Sequence, residues 1–397
     1  MLNAATVYSW IENLPIIDWH NHLDLKMLAE DKPLGSLYEV WVKTDPYKHR
    51  AMRICGEPEK LITGDAPEAE KWAAWARTLP KLVGNPLFAW AMQELAFLDE
   101  ELGIGNDVLT VRKLQNVSLA DWTPIRLLKA FNVEYVSPCL SQSSHASQLS
   151  QLSPTPRVVP SLRLAENETV GPEACDRFAA AGCRIVDISI DDIGAVDCDV
   201  FKDIGKAAAE RGMTMLLHLG ALRQTSERLR VASGPVGGFA GMRAPVDPAK
   251  VARLLDELER AGALPRTILL SLNPEAHAQL AVLAGSFNEA GVPGKVQLGP
   301  AWWWCDHKEG IIDVLEKNAA YGVLSTFIGM TTDSRSLLSF VRHDYFRRIL
   351  AQWIADKISA GDFPDDESLI RPLVERVCYL NARAVVATAS QNEGDYK

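Results

Sequence analysis

Cysteines in this chain are few and unpaired by spacing. The seven (Cys55, Cys139, Cys175, Cys183, Cys198, Cys305 and Cys378) are odd in number, scattered, and never form a C-x-x-C. Neither a disulfide framework nor a zinc knuckle is indicated. No run of about 18 apolar residues occurs, so no transmembrane helix is expected. Residues 1–14 carry Glu12 and lack the basic start and long apolar stretch of a secretory signal. Two glycosylation-type tripeptides, at Asn116 and Asn167, mean little without such a signal, and a cytoplasmic protein is expected. Positive charge is in deficit: 41 Lys and Arg against 51 Asp and Glu leave a net −10. That balance argues against nucleic acid or an anionic membrane as a bulk partner. It leaves an anionic small substrate open, because a few convergent arginines can outweigh the global field inside a pocket. Low-complexity tracts are absent too, and no G-x-G-x-x-G follows an apolar run, which weakens a dinucleotide-binding reading.

What is present suits a large globular core: 397 residues, 47% of them hydrophobic. Eight short β-rich runs stand out, at residues 15–19, 132–136, 157–162, 183–190, 214–219, 267–272, 295–299 and 324–330. Helix-period segments lie between most of them, at 172–181, 200–211, 248–261, 274–290 and 309–320. Several open on Pro or Asp and close near Gly, as helices do. Alternation of this kind implies parallel strands joined by right-handed crossovers. The expected fold is therefore α/β, a (β/α)₈ TIM barrel, with an open doubly wound sheet as the second choice. One interval is long. Residues 20–131 separate the first two runs and read as helices at 35–43, 68–78, 86–102 and 121–130. We expect one domain over 1–397, with 24–130 as a helical insertion folded onto the barrel mouth. The tail, 342–357 and 368–389, should supply the last helices. A homo-oligomer is left open.

The chemistry-bearing residues cluster where a barrel places them, after the C-terminal ends of strands. His20-Asn21-His22 ends the first run, and residues i and i+2 of a strand share a face. Two imidazoles side by side suit a divalent metal. A lone H-x-H is weak evidence, so an acid must complete the set, and Asp333 follows the last apolar run. His218 ends the fifth run and reads equally as a third ligand, a substrate contact or a core histidine. Asp187 and Asp191 have the blandest reading, as caps of the next helix. Trp302, Trp303 and Trp304 follow the seventh run. One should be packing, while an aromatic face can floor a sugar ring. Arg163, Arg223 and Arg335 follow three different strands, and their convergence would suit a carboxylate or phosphate.

Longer stretches resemble a known family. They are Asp45-Pro-Tyr-Lys-His-Arg-Ala-Met-Arg53, Ile62-Thr-Gly-Asp65, Gly84-Asn-Pro-Leu87, His218-Leu-Gly-Ala-Leu-Arg223 and Ala301-Trp-Trp-Trp304. The strongest is Gly329-Met-Thr-Thr-Asp-Ser-Arg-Ser336, continuing into Arg342-His-Asp-Tyr-Phe-Arg-Arg348. With the H-x-H they resemble the amidohydrolase superfamily and, within it, the uronate (glucuronate) isomerases. The resemblance implies interconversion of D-glucuronate with D-fructuronate and of D-galacturonate with D-tagaturonate. It implies a divalent, zinc-like ion on His20, His22 and Asp333. Arg163, Arg223 and Arg335 would bind the hexuronate together with Trp303, Trp304 and His49, while Asp333, Tyr47 and His218 would be catalytic. Two departures stand out. Pro46 and His49 replace a histidine and a tryptophan of the family's D-H-Y-K-W-R, and Pro138-Cys-Leu-Ser-Gln142 replaces a T-T-D-D-type loop. The proton carrier is open between Asp333 and Tyr47. The competing readings are a metal-dependent hydrolase or decarboxylase of the same superfamily, and a sugar-acid binder without turnover.

Overall fold

The structure is a computed structural model and describes residues 1–143, 155–223 and 225–387. It is a mixed α/β fold around a curled parallel sheet. Seven strands follow one path, in the order β1 (Ile16–Asn21), β2 (Val133–Ser141), β4 (Ser161–Leu164), β5 (Ile185–Ile190), β6 (Thr214–Leu219), β9 (Thr267–Ser271) and β10 (Val296–Leu298). A two-residue rung, β3 (Arg157–Val158), pairs with β2 beside that path. Every pairing in this sheet is parallel. Strands β1, β6 and β9 are buried at every position, which is why they read as continuous apolar runs and not as alternating ones.

Two expectations need correction. The third run is split, into β3 and β4, and the eighth is not a strand. Leu324–Thr326 forms a 3-10 turn and the residues after it pair with no ladder. Gly329 takes φ +80°, where a Cβ would strike the Val377 carbonyl, so the chain bends where a strand would run straight. Side chains do the joining instead. Gln297 of β10 accepts from the Ile328 amide at 2.8 Å. On the other side Asp18 of β1 accepts from the Thr332 amide at 3.1 Å and from both the Thr331 and Thr332 hydroxyls. Backbone bonds from Asp333 to His20 and from His22 to Ser334 finish the join.

The long interval after β1 is helical, with Leu37–Trp41, Pro46–Ile54, Glu68–Thr78, Pro86–Leu102 and Pro124–Ala130 as its main helices. These pack on a cluster of their own that includes Trp41, Trp72, Trp75 and Trp90, distinct from the larger core on the sheet. Fully burying each such side chain contributes about 1.5–3 kcal/mol. The tail runs as Val341–Ala360, Glu367–Glu375 and Asn381–Val386, while residues 388–389 of the expected last helix lie outside the described residues.

Candidate active site

The end of β1 delivers what its period-two geometry demands. The His20 and His22 rings stand with centroids 5.3 Å apart, and Asp333 reaches both from the far side of the join. Its Oδ1 lies 3.2 Å from His20 Nε2 and 3.1 Å from His22 Nε2. Asp333 sits at φ +50°, a left-handed conformation that a short polar side chain tolerates and that often marks a functional position. Burial alone would raise its pKa, but the two imidazoles hold it well below the usual carboxylate range. Burial pushes His22 down to about 4, so its imidazole is neutral and free to ligate. His20 Nε2 and Asp333 Oδ1 are buried without an aligned hydrogen bond. Separations just above 3 Å between misaligned ligand atoms are those of neighbours around one ion with bonds of about 2.0–2.2 Å. Two imidazoles and a carboxylate are ligands of the type a divalent metal takes, but among the described residues the groups whose ligand atoms all lie within 4.8 Å of one another do not include Asp333.

Asp187 overturns its bland reading. It is the third residue of β5, fully buried, and caps no helix. The parallel register sets it beside Arg163 of β4, which donates to it and to Ser189. Its other oxygen lies 2.7 Å from His218 Nδ1. Burial would raise this carboxyl, yet Arg163, His218 and His20 hold it well below its ordinary value. Burial also lowers His218 to about 4. His20, Asp187 and His218 form a buried group that could hold a metal ion, and His20, His22 and Cys139 form a half-buried one. Cys139 Sγ lies 3.0 Å from His22 Nδ1 and bonds the Asn21 carbonyl at 3.0 Å.

These groups open onto a cavity of about 390 Å³, lined also by Arg223, Trp302, Trp303, Arg335 and Tyr47. Arg163 and Arg223 are already bound, to Asp187 and to Asp191 respectively. Among the described residues no carboxylate pairs with Arg335. Trp302 packs edge-on against His218 at 4.6 Å and is the buried member of its triplet. Trp303 turns into the cavity at φ +49°. Trp304 does not line it. Its indole donates to the Ala240 carbonyl at 3.1 Å, and Arg50 stacks on it at 4.7 Å. Ala240 belongs to a strap across the mouth, closed by antiparallel β7 (Ala221–Leu222) and β8 (Gly241–Met242). At Gly238, φ +79°, a Cβ would strike the Pro46 carbonyl, so strap and inserted helix touch backbone to side-chain-free backbone.

Helix Pro46–Ile54 carries Tyr47. Asp45 caps it, accepting from the Tyr47 amide at 2.9 Å and the Lys48 amide at 3.2 Å, and Pro46 takes the first position, where a missing N–H costs nothing. The replacement at residue 46 thus starts the helix cleanly. Beneath it Lys48 is fully buried, 2.8 Å from Asp45 and 3.1 Å from Glu94. The Tyr47 ring is wedged edge-on between Trp90 and Trp304, and its hydroxyl donates to Asp306 Oδ2 at 2.9 Å. Arg342 donates to the same oxygen at 2.5 Å. Burial raises Tyr47 well above its ordinary pKa and pushes Asp306 up to about 7. His49, on the same helix, is buried outside the cavity lining with neither ring nitrogen bonded.

Sequence reasoning missed Asp187 as a site residue, and it missed Asp306. An ionisable residue inside an apolar strand signals the first, since it demands partners. Nothing local signals the second.

The profile of the glucuronate isomerase family matches residues 2–167 and 161–386. Among curated proteins, a uronate isomerase of Halalkalibacterium halodurans is 34% identical over 94% of this chain and 93% of its own. Another, from Caldicellulosiruptor bescii, is 34% identical over 96% of each. The crystal structure of the Thermotoga maritima uronate isomerase superposes with a TM-score of 0.85, at 25% identity over 97% of both chains.

Proposed function

The chain belongs to the glucuronate isomerase family, and from that premise we propose its substrates and the roles of its residues. It is a uronate isomerase, an aldose–ketose isomerase. Its substrates are D-glucuronate, converted to D-fructuronate, and D-galacturonate, converted to D-tagaturonate. The observation that carries this reading is Arg335, a guanidinium without a carboxylate partner among the described residues, beside the imidazole–carboxylate cluster in one cavity. A carboxylate docked there completes the charge balance of the site.

His20, His22 and Asp333 hold a divalent ion, zinc by the nitrogen and oxygen character of the set. A second group, His20, Asp187 and His218, could also hold an ion, with Asp187 Oδ2 tied to Arg163 and its Oδ1 facing His218 Nδ1 without an aligned hydrogen bond. Chelation of the substrate's carboxylate and a neighbouring hydroxyl is the chemistry such an ion supplies. Arg335 binds the substrate carboxylate, while Arg163 and Arg223, each tied to an acid, hold hydroxyls. His218, neutral and braced by Asp187 and Trp302, donates to the oxygen that gains charge in the enediolate. Trp303 floors the sugar. Trp304 and His49 act through packing, away from the substrate. The segment from Phe327 to Asp333 closes a (β/α)₈ barrel as its eighth stave, and residues 24–130 are an insertion on its mouth within one domain. The setting fits a cytoplasmic enzyme.

Incubation of the purified protein with D-glucuronate or D-galacturonate in D₂O, followed by NMR, tests the reaction. Ketose product, with deuterium entering at the exchanging carbon, is expected. Absence of ketose from both sugars, or cleavage of another carboxylate, would overturn it.

A further inference from the structure

Tyr47 poses a chemical difficulty. Burial holds its phenol neutral, and a neutral phenol takes a proton from carbon only if it can release its own. The hydroxyl proton is committed to Asp306 at 2.9 Å, so the lone pairs remain for a second hydrogen. Asp306 is 4% exposed and lies behind Tyr47, outside the cavity lining. Its carboxylate touches no metal-type ligand and gives its Oδ2 to Tyr47 and Arg342 together. Arg342 is equally buried, with its guanidinium over the rings of Tyr47 at 5.3 Å and Trp90 at 4.9 Å. Charge, ring and carboxylate are therefore fixed relative to one another by three elements: the inserted helix, the turn after Trp303–Cys305, and helix Val341–Ala360.

We propose that Asp306 is a positioning residue that makes Tyr47 the proton carrier of the isomerisation, receiving the phenol proton as Tyr47 takes the substrate's. This rests on the isomerase reading above. In the forward direction the C2–H bond breaks and its electron pair forms the C1=C2 bond. The carbonyl π pair moves onto O1, giving the enediolate. The C2 proton bonds to the Tyr47 oxygen as the phenol's own proton passes to Asp306 Oδ2, so no free phenolate forms. In the second half the relay runs backwards. Asp306 returns its proton to Tyr47, whose other proton is delivered to C1. The proton of the C2 hydroxyl moves to O1, leaving the C2 ketone. The count of protons closes with the enzyme restored. The near-neutral setting of Asp306, which burial pushes up against the pull of Arg342 and Tyr47, matches its carboxylate to that exchange.

The test compares Asp306→Asn, Asp306→Glu and Tyr47→Phe with the wild type, reading kcat, KM, metal content and exchange of the C2 hydrogen of D-glucuronate. Asparagine keeps a hydrogen-bond acceptor for Tyr47 but cannot receive its proton. Both Asp306→Asn and Tyr47→Phe should lose about 10²- to 10⁴-fold in kcat and in exchange, with KM and bound metal close to wild type. The double variant should be no slower than either single one, because the two residues act as a unit. Glutamate should restore part of the exchange, which also guards against a misfolded asparagine variant. Wild-type exchange in Asp306→Asn, or additive losses in the double variant, would overturn the relay while leaving the isomerase in place. A wild type that neither isomerises nor exchanges hexuronates would sink both.

Discussion

Two carboxylates serve one cavity from opposite electrostatic settings. Asp333 stands between two imidazoles that hold it ionised far below neutrality, while Asp306 lies buried behind an aromatic wedge and is pushed up to about 7. The first is too weak a base to strip a carbon acid unaided and is well placed to anchor a cation. The second is matched to a proton that must move both ways near neutral pH. Environments that push like groups apart assign them unlike roles. The division is also architectural, since the anchor sits at the sheet's edge and the exchanger depends on the inserted helices.

Breaking the anchor should have the largest effect. His20→Ala combined with His22→Ala is expected to remove most bound metal and lower kcat by about 10³-fold or more, with circular dichroism unchanged. Full metal occupancy in the purified variant would place the ligands elsewhere. A smaller effect is expected at Arg335, whose unpaired charge sits beside the anchor. Arg335→Met should raise KM for D-glucuronate roughly 10- to 100-fold, the loss of a charge-assisted contact of about 1.5–3 kcal/mol. Steady-state kinetics indistinguishable from wild type would remove it from the site.

The smallest effect sharpens the exchanger. Asp306 must be ionised to receive a proton, so kcat should rise with pH and reach half its plateau near the group's value of about 7. The groups facing it are Tyr47, Arg342, Tyr345, the adjoining Cys305 and Asp333; burial raises the phenols and the thiol, which stay neutral here. Arg342 keeps its charge throughout, and Asp333 stays ionised, so neither bends the profile in this window. One pH unit below that value the rate should be about a tenth of the plateau, and Asp306→Asn should flatten the limb. A flat wild-type profile from pH 6 to 8 would erase the contrast between the two acids.

Legibility in the sequence followed range. The juxtaposition of His20 and His22 was readable because two residues of strand fix their relation, and Asp333 beside them because an acid follows the last apolar run. Most strands of the sheet were visible as buried runs of the right length. The run at 324–330 misled, since its apolar content reflects burial while Gly329 bends the chain and side chains replace the ladder. Asp187 was misjudged through a local habit, acids capping helices, although its place inside Ile185–Ile190 argued for partners across the sheet. Trp304 and His49 were expected among the substrate contacts by resemblance, but a short turn and a helix send them away from the cavity that Trp303 and Tyr47 line. Asp306 and Arg342 meet Tyr47 only through tertiary packing: Asp306 lies 259 residues from Tyr47 and 36 from Arg342, and no spacing rule reaches that far.

The join beside β1 gives the proposed metal ligands a mechanical meaning. His20 and His22 stand on one lip of a seam stitched mainly by Asp18 and two threonine hydroxyls, and Asp333 stands on the other. Side-chain stitches are shorter-lived than a ladder, so this seam is where the sheet should breathe first, and its amides should exchange ahead of those in β5 and β6. An ion held across the lips is then a clasp. It would tie the assembly of the reaction centre to the cohesion of the fold, so that losing the ion would loosen the very edge that must be closed to regain it.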